Sequence, residues 1–206
     1  MKKRIAFFVA LALMAALGCT ASADTIRARP LSIDMNRLEN LMVRTDIEYR
    51  EGDIMVMTLY ERERFDAEAV RAAKAGDVIV TAGEEITVET VEEDGPDLIF
   101  NKGTETEMLF CDAGDDVFEH VTENGDAPWL TVGTMEQAIL EYYPILDTID
   151  PMTGEDLDDY VVYRGDRLKE LLQNPEAVGF NHRNVDVVYD RANQPVLMLR
   201  YGFPDP

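Results

Sequence analysis

Apolar and polar residues alternate with a period of two through much of this chain. Leu41, Val43, Thr45, Ile47 and Tyr49 stand at every second position, with Met42, Arg44, Asp46 and Glu48 between them. Successive side chains of a strand leave on opposite faces, so this spacing predicts a strand with one sheltered face. Arg50-Glu51-Gly52-Asp53 supplies turn chemistry, and Ile54 to Tyr60 predicts a second, more buried strand. The two read as a hairpin. Further extended segments are predicted at Asp77 to Val80 and Ile86 to Val91, joined by the turn Ala82-Gly83-Glu84. Leu98 to Phe100 and Glu107 to Cys111 form another pair across Lys102-Gly103-Thr104, followed by Phe118 to Val121, Trp129 to Val132 and Ile145 to Ile149. Val185 to Tyr189 and Val196 to Tyr201 predict a terminal hairpin.

Helical spacing is confined to short stretches. Asp66 is an N-cap candidate for a helix over 67–75, with Gly76 where a left-handed C-terminal residue belongs. Asp166 is the N-cap candidate for a second helix over 167–173, with Leu168, Leu171 and Leu172 on one face and Asn174-Pro175 as its stop. Residues 134–143 read two ways. Thr134 and Gln137 form a capping box into a short helix ending before Pro144, which is the preferred reading, or the same residues continue a strand. The predicted fold class is therefore mainly β (α+β): nine to eleven strands in small barrel-like or sandwich-like antiparallel sheets, with two or three short helices. No repeat and no compositional break divides it, so 37–206 reads as a single β-rich domain. Residues 24–36, broken by Pro30, read as a flexible arm ahead of it.

The first 23 residues follow different rules. Lys2, Lys3 and Arg4 precede an unbroken apolar run from Ile5 to Leu17, and small residues lead to Ala21-Ser22-Ala23. This is the pattern of a secretory signal peptide over 1–23, its apolar run shorter than the ~20 residues a membrane span needs. Cleavage after Ala23 is the preferred route. Gly18-Cys19 also resembles a lipoprotein box, which makes a lipid anchor on Cys19 the alternative. Losing 1–23 removes three positive charges and no negative ones, taking the formal net charge from −22 to −25. A surface that acidic repels nucleic-acid phosphates and anionic lipid, so neither is an expected partner. No transmembrane segment remains once the signal is gone.

Cys111 has no partner for an internal disulfide, so the exported chain must rely on its apolar core. The residue reads as a small buried hydrophobe on a strand, or as a nucleophile served by His120. Asp112, Asp115, Asp116 and Glu119 surround Gly114, and such an acidic loop offers oxygen ligands to Ca²⁺ or is a solvated turn. Asp147, Asp150, Glu155, Asp156, Asp158 and Asp159 form a second acidic group with the same two readings. His120 and His182 are the only histidines, and no zinc spacing surrounds them; His120 is expected on the surface or at a rim. Ser32 is the only serine after residue 23, and no GxSxG, SxxK or P-loop sequence occurs. Carboxylate-paired hydrolysis stays open because acids abound. Trp129, with Tyr142 and Tyr143 near it in sequence, reads as packing or as a platform for a sugar ring.

The stretch from Phe65 to Glu92, a short helix followed by Gly76-Asp77, a strand, Gly83 and another strand, resembles units that recur in small exported bacterial proteins of unknown function. Gly76-Asp77 is also similar to corner turns of small β-barrels. The resemblance implies a barrel-like or sandwich-like fold and brings no catalytic residue with it. The expected function is an exported, acidic, non-enzymatic binding or structural module of the cell envelope or extracellular space, needing no cofactor. The alternatives are a Ca²⁺-dependent interaction module and a secreted carboxylate-based hydrolase.

Overall fold

A computed structural model of the chain describes residues 23–121, 128–139, 145–174, 176–177 and 179–200. Residues 1–22, nearly all of the expected signal peptide and including Cys19 as the lipidation candidate, lie outside the described residues, as do Tyr142 and Tyr143. The chain is mainly β, with fifteen strands and two helices among the described residues. Strands β1 (Thr25–Arg27), β5 (Val78–Thr81) and β6 (Glu84–Thr87) form a three-stranded sheet in the order β1-β5-β6. Strands β4 (Arg64–Asp66), β7 (Val91–Asp94), β8 (Asp97–Phe100), β9 (Met108–Gly114) and β10 (Val117–Val121) form a second sheet in the order β4-β10-β9-β8-β7. The largest sheet has seven strands. Its members are β2 (Met42–Arg50), β3 (Ile54–Arg62), β11 (Trp129–Ala138), β12 (Ile145–Ile149), β13 (Asp156–Tyr163), β14 (Val185–Tyr189) and β15 (Pro195–Arg200). They run in the order β11-β3-β2-β14-β15-β12-β13. Pairing is antiparallel except at β1–β5 and β12–β15, and none of the three sheets closes into a barrel.

The alternation read from the sequence sets which side chains go inside. On β3, Met55, Met57 and Leu59 are fully buried while their neighbours are half-buried. Complete burial of such a side chain stabilises by about 1.5–3 kcal/mol. These residues join Val43 and Ile47 of β2, Val185 and Val187 of β14, and Leu168 and Leu171 of helix α2 (Gly165–Gln173) in one core. A second core gathers Phe65, Phe100, Phe110 and Phe118, with Ile26, Ile79 and Val70 of helix α1 (Ala67–Arg71). Phe110 meets Phe65 and Phe100 edge-on, with centroids 5.0 and 5.2 Å apart. The chain passes between the cores where β3 leads into β4.

Several local expectations change. Helix α1 ends at Arg71 rather than running to residue 75. The reason is Asp77, whose Oδ2 accepts the Lys74 N–H at 3.0 Å and turns the chain before another helical turn can form. Asp66 does cap α1, accepting the Ala69 N–H at 3.1 Å. Asp166 does not cap α2: Arg164 holds that position without a side-chain bond, and Asp166 lies in the first turn. The preferred helix over 134–143 is strand as far as Ala138, because β11 pairs with β3 along its whole length, from Trp129 opposite Arg62 to Ala138 opposite Ile54. Residues 140–143 lie outside the described residues. The acidic segment after residue 155, expected as a loop, forms β13 at the edge of the large sheet. Residues 24–36, expected as a loose arm, carry β1, and Ile33 and Met35 pack against the larger core.

Candidate functional site

Inward positions continue beyond the apolar part of β3. Leu59, Glu61, Glu63 and Phe65 are all buried, and Arg62 and Arg64 point out. Two glutamates thus occupy interior places and need partners there. Glu61 accepts the Ser32 N–H at 2.8 Å, the Ile33 N–H at 3.0 Å and the Ser32 hydroxyl. Glu63 Oε2 accepts the Thr81 hydroxyl at 2.5 Å and the Ala82 N–H at 3.1 Å. Thr81 Oγ1 lies 2.8 Å from His120 Nδ1.

A hydroxyl has one hydrogen to give. With that hydrogen on Glu63, Nδ1 of His120 must be the donor to Thr81, and the bare lone pair of the neutral ring sits on Nε2. The ring is 8% exposed and stacks on Phe110 at 5.3 Å with 16° between the planes. Burial pushes its pKa below the usual imidazole range, which favours that neutral form. The Nδ1–Thr81 contact is the one hydrogen bond of the His120 ring among the described residues, and His120 lines an open cleft of about 680 Å³. His120 is therefore a nearly enclosed residue lining this cleft, not a surface one.

Two chain segments line the cleft and form its walls, one carrying Glu84, Glu85 and Glu89, the other Glu105 and Glu107. Glu85 has Arg27 at 3.7 Å, with both side chains mostly exposed, and Glu107 takes the Gly103 N–H. Among the described residues no cation pairs with Glu84, Glu89 or Glu105. Asn101 fixes the spacing between the walls. Fully buried and at φ 54°, it accepts the N–H groups of Glu89 at 2.6 Å and Thr90 at 3.3 Å. Its amide donates to the Thr87 carbonyl at 2.9 Å and to Thr106 Oγ1 at 3.1 Å. One side chain thereby ties the end of β6 to the turn across the cleft.

The acidic residues selected from sequence lie elsewhere. Asp112 is opposite Phe118 and Glu119 is opposite Cys111, so the two carboxylates leave the β9–β10 ladder on opposite faces. Asp112 binds Arg71 at 2.6 Å, and Glu119 binds Arg62 at 3.0 Å and Arg64 at 3.3 Å. Asp115 and Asp116 make the turn itself, at φ 51° and 58°. Asp147 is buried against Arg200 at 3.4 Å, Asp150 accepts the N–H groups of Met152 and Thr153, and Asp156, Asp158 and Asp159 are exposed along β13. Among the described residues no three His, Cys, Asp or Glu side chains gather as metal ligands.

Cys111 and His120 also face opposite sides of their sheet, and burial, with Asp97 beside it, pushes the Cys111 thiol up and keeps it protonated. The two carboxyls that burial raises, Asp147 and Asp186, are each held by an arginine and neither lines the His120 cleft. Trp129 has the guanidinium groups of Arg62 and Arg44 at 5.1 and 5.8 Å from its ring centre, a cation–π arrangement. Sequence reasoning passed over Glu63, Thr81 and Asn101. The signal for Glu63 was present as period-two spacing, Leu59, Glu61, Glu63, Phe65, and was masked by the intervening arginines. Among the described residues no helix is long and apolar enough to cross a membrane. Compared with known proteins, the chain matches no family model, no curated protein and no solved structure.

Proposed function

We propose that this chain is an exported, non-enzymatic binding module that holds a cationic, N–H-bearing ligand in the cleft that His120 lines. The observation that carries this reading is His120, bonded through Nδ1 to Thr81 and with no bond at Nε2 among the described residues, lining one cleft with Glu84, Glu89 and Glu105, which pair with no cation among the described residues. An ammonium or guanidinium group supplies both missing parts, positive charge for the glutamates and a proton for Nε2. The signal sequence supports export, and the acidity of the whole chain concentrates cations near its surface.

Thermal denaturation of residues 24–206 with increasing spermidine tests the reading. Binding to the native state alone raises Tm with ligand concentration. The shift should shrink at high salt, as exposed charge pairs are screened. It should vanish in the triple variant Glu84→Gln/Glu89→Gln/Glu105→Gln. Hexamethonium, a dication without N–H groups, should bind more weakly than hexane-1,6-diamine. No shift with spermidine, or an equal shift in the triple variant, would refute the cleft as the site. Equal binding of the two dications would remove His120 from recognition.

A further inference from the structure

Asp77 is the most enclosed carboxylate of the smaller core, 2% exposed, and has no arginine or lysine side chain bonded to it among the described residues. Its two oxygens are instead taken by backbone N–H groups. Oδ2 accepts from Lys74 at 3.0 Å, and Oδ1 accepts from Asp24 at 3.0 Å, across 53 residues of chain. These donors, Asp24 first, hold its carboxyl below the usual range. Asp24 is fixed from its other side as well, since its carbonyl accepts the Val78 N–H at 2.9 Å. One residue later the chain enters β1, with Thr25 opposite Val78 and Ile26, buried, opposite Ile79.

The nitrogen bound to Asp77 is therefore the nitrogen that cleavage after Ala23 would release. Ala23 itself is exposed, so its removal leaves that nitrogen in place with a path to water. We propose that processing between Ala23 and Asp24 creates an α-ammonium that Asp77 captures, so that the exported chain carries an ion pair its precursor lacks. A processing peptidase adds water across the Ala23–Asp24 peptide bond. Ala23 keeps the new carboxylate, and the freed amine of Asp24 takes up a proton. A neutral amide donor then becomes a charged one on an already enclosed carboxylate, and charge-assisted bonds are roughly twice as strong as neutral ones. The pair anchors β1 at the edge of the three-stranded sheet and so joins export to the final form of the fold. A terminus at Cys19 would leave the Asp24 nitrogen an amide and form no such pair. This inference rests on the signal sequence and on Asp77, and stands apart from the cleft reading.

The test expresses the full chain in an exporting bacterium, determines the terminus by mass spectrometry, and follows the α-amine by NMR after ¹³C reductive methylation. The expected terminus is Asp24. Its amine should titrate clearly above the ordinary range of about 7.7–8.0, and Asp77→Asn should return it to that range. A chain with Ala23 retained as its first residue keeps Asp77 and the amide contact. Its amine should titrate normally and its urea midpoint should fall below that of the Asp24 chain, which covers the case in which Asp77→Asn does not fold. A terminus at any other residue, or an Asp24 amine that titrates in the ordinary range, would overturn the proposal.

Discussion

Replacing Asn101 by glycine separates the side-chain clamp from the backbone turn that carries it. Asn101 sits at φ 54°, a conformation glycine adopts without penalty, so Asn101→Gly keeps the turn and deletes only the side chain. Four hydrogen bonds go with it: two accepted from Glu89 and Thr90, and two donated to Thr87 and Thr106. A net hydrogen bond stabilises by about 0.5–1.5 kcal/mol. Water can reach the exposed segment that carries Glu89 and Thr90, which limits the desolvation cost of the groups left behind. The expected loss is about 2–4 kcal/mol of unfolding free energy, read from the urea midpoint with an unchanged m-value.

The same substitution removes the side-chain ties between the two cleft walls and leaves the backbone bond from residue 101 to the Thr90 carbonyl, so spermidine binding should weaken together with stability. Asn101→Asp is the companion variant. It keeps the acceptor for the Glu89 and Thr90 N–H groups but loses both donors, and sets a carboxylate oxygen against the Thr87 carbonyl. It should lose stability by binding fewer partners and by this repulsion, while holding the wall that carries Glu89. A loss below about 0.5 kcal/mol in Asn101→Gly, the range of an ordinary surface change, would show that the clamp does not hold the walls.

The remaining predictions concern buried charge. Because burial depresses the His120 pKa, the unfolded chain binds a proton near pH 6.5 that the folded chain refuses. Stability therefore falls as pH drops from about 6.5 toward the folded pKa. His120→Gln should flatten that part of a urea-midpoint profile between pH 7.5 and 5; an identical slope in both proteins would refute the burial argument. Asp147 and Asp186, whose pKa values burial raises, act in the opposite sense at lower pH, so the comparison with His120→Gln isolates the imidazole. At the fully buried Asp147–Arg200 pair, Asp147→Leu removes one of the groups that hold the enclosed guanidinium, which also lies over the Phe180 ring, and should cost up to about 3–5 kcal/mol. Asp147→Leu/Arg200→Met should recover most of that loss, and a double variant as unstable as the single one would refute the desolvation argument.

The parts of the fold that were legible in the sequence are those where one apolar period governs. Val43, Thr45 and Ile47 are buried on β2 as the alternation requires, and the β2–β3, β8–β9 and β14–β15 hairpins all form. Legibility failed where a distant partner decided the outcome. Thr134 and Gln137 present a good local helix start, yet a partner strand spanning 54–62 offers far more backbone hydrogen bonds than one capping box. The short helix after Asp66 stops early for a similar reason, since Asp77 takes the Lys74 N–H. Charge count also misled. The dense acids of 112–119 drew attention as a cation loop, whereas Asp112 and Glu119 are separated by the face rule of the strand and each is held by arginine.

The residues with the strongest claim on function were the ones whose polarity contradicted their position. Glu63 occupies an inward place between Leu59 and Phe65, and an interior carboxylate persists only if donors surround it. Following those donors leads to Thr81 and then to His120, a residue that lines the cleft and whose bond to Thr81 assigns the free lone pair to Nε2. Asp77 obeys the same rule with a different result, because one of its donors is the nitrogen at the expected processing site. In both cases the informative feature is a polar residue at a position whose period assigns it to the interior. Exposed acids, which dominate the composition, carry no such obligation. An acidic sequence of this kind is therefore read more productively from its few enclosed carboxylates than from its densest clusters.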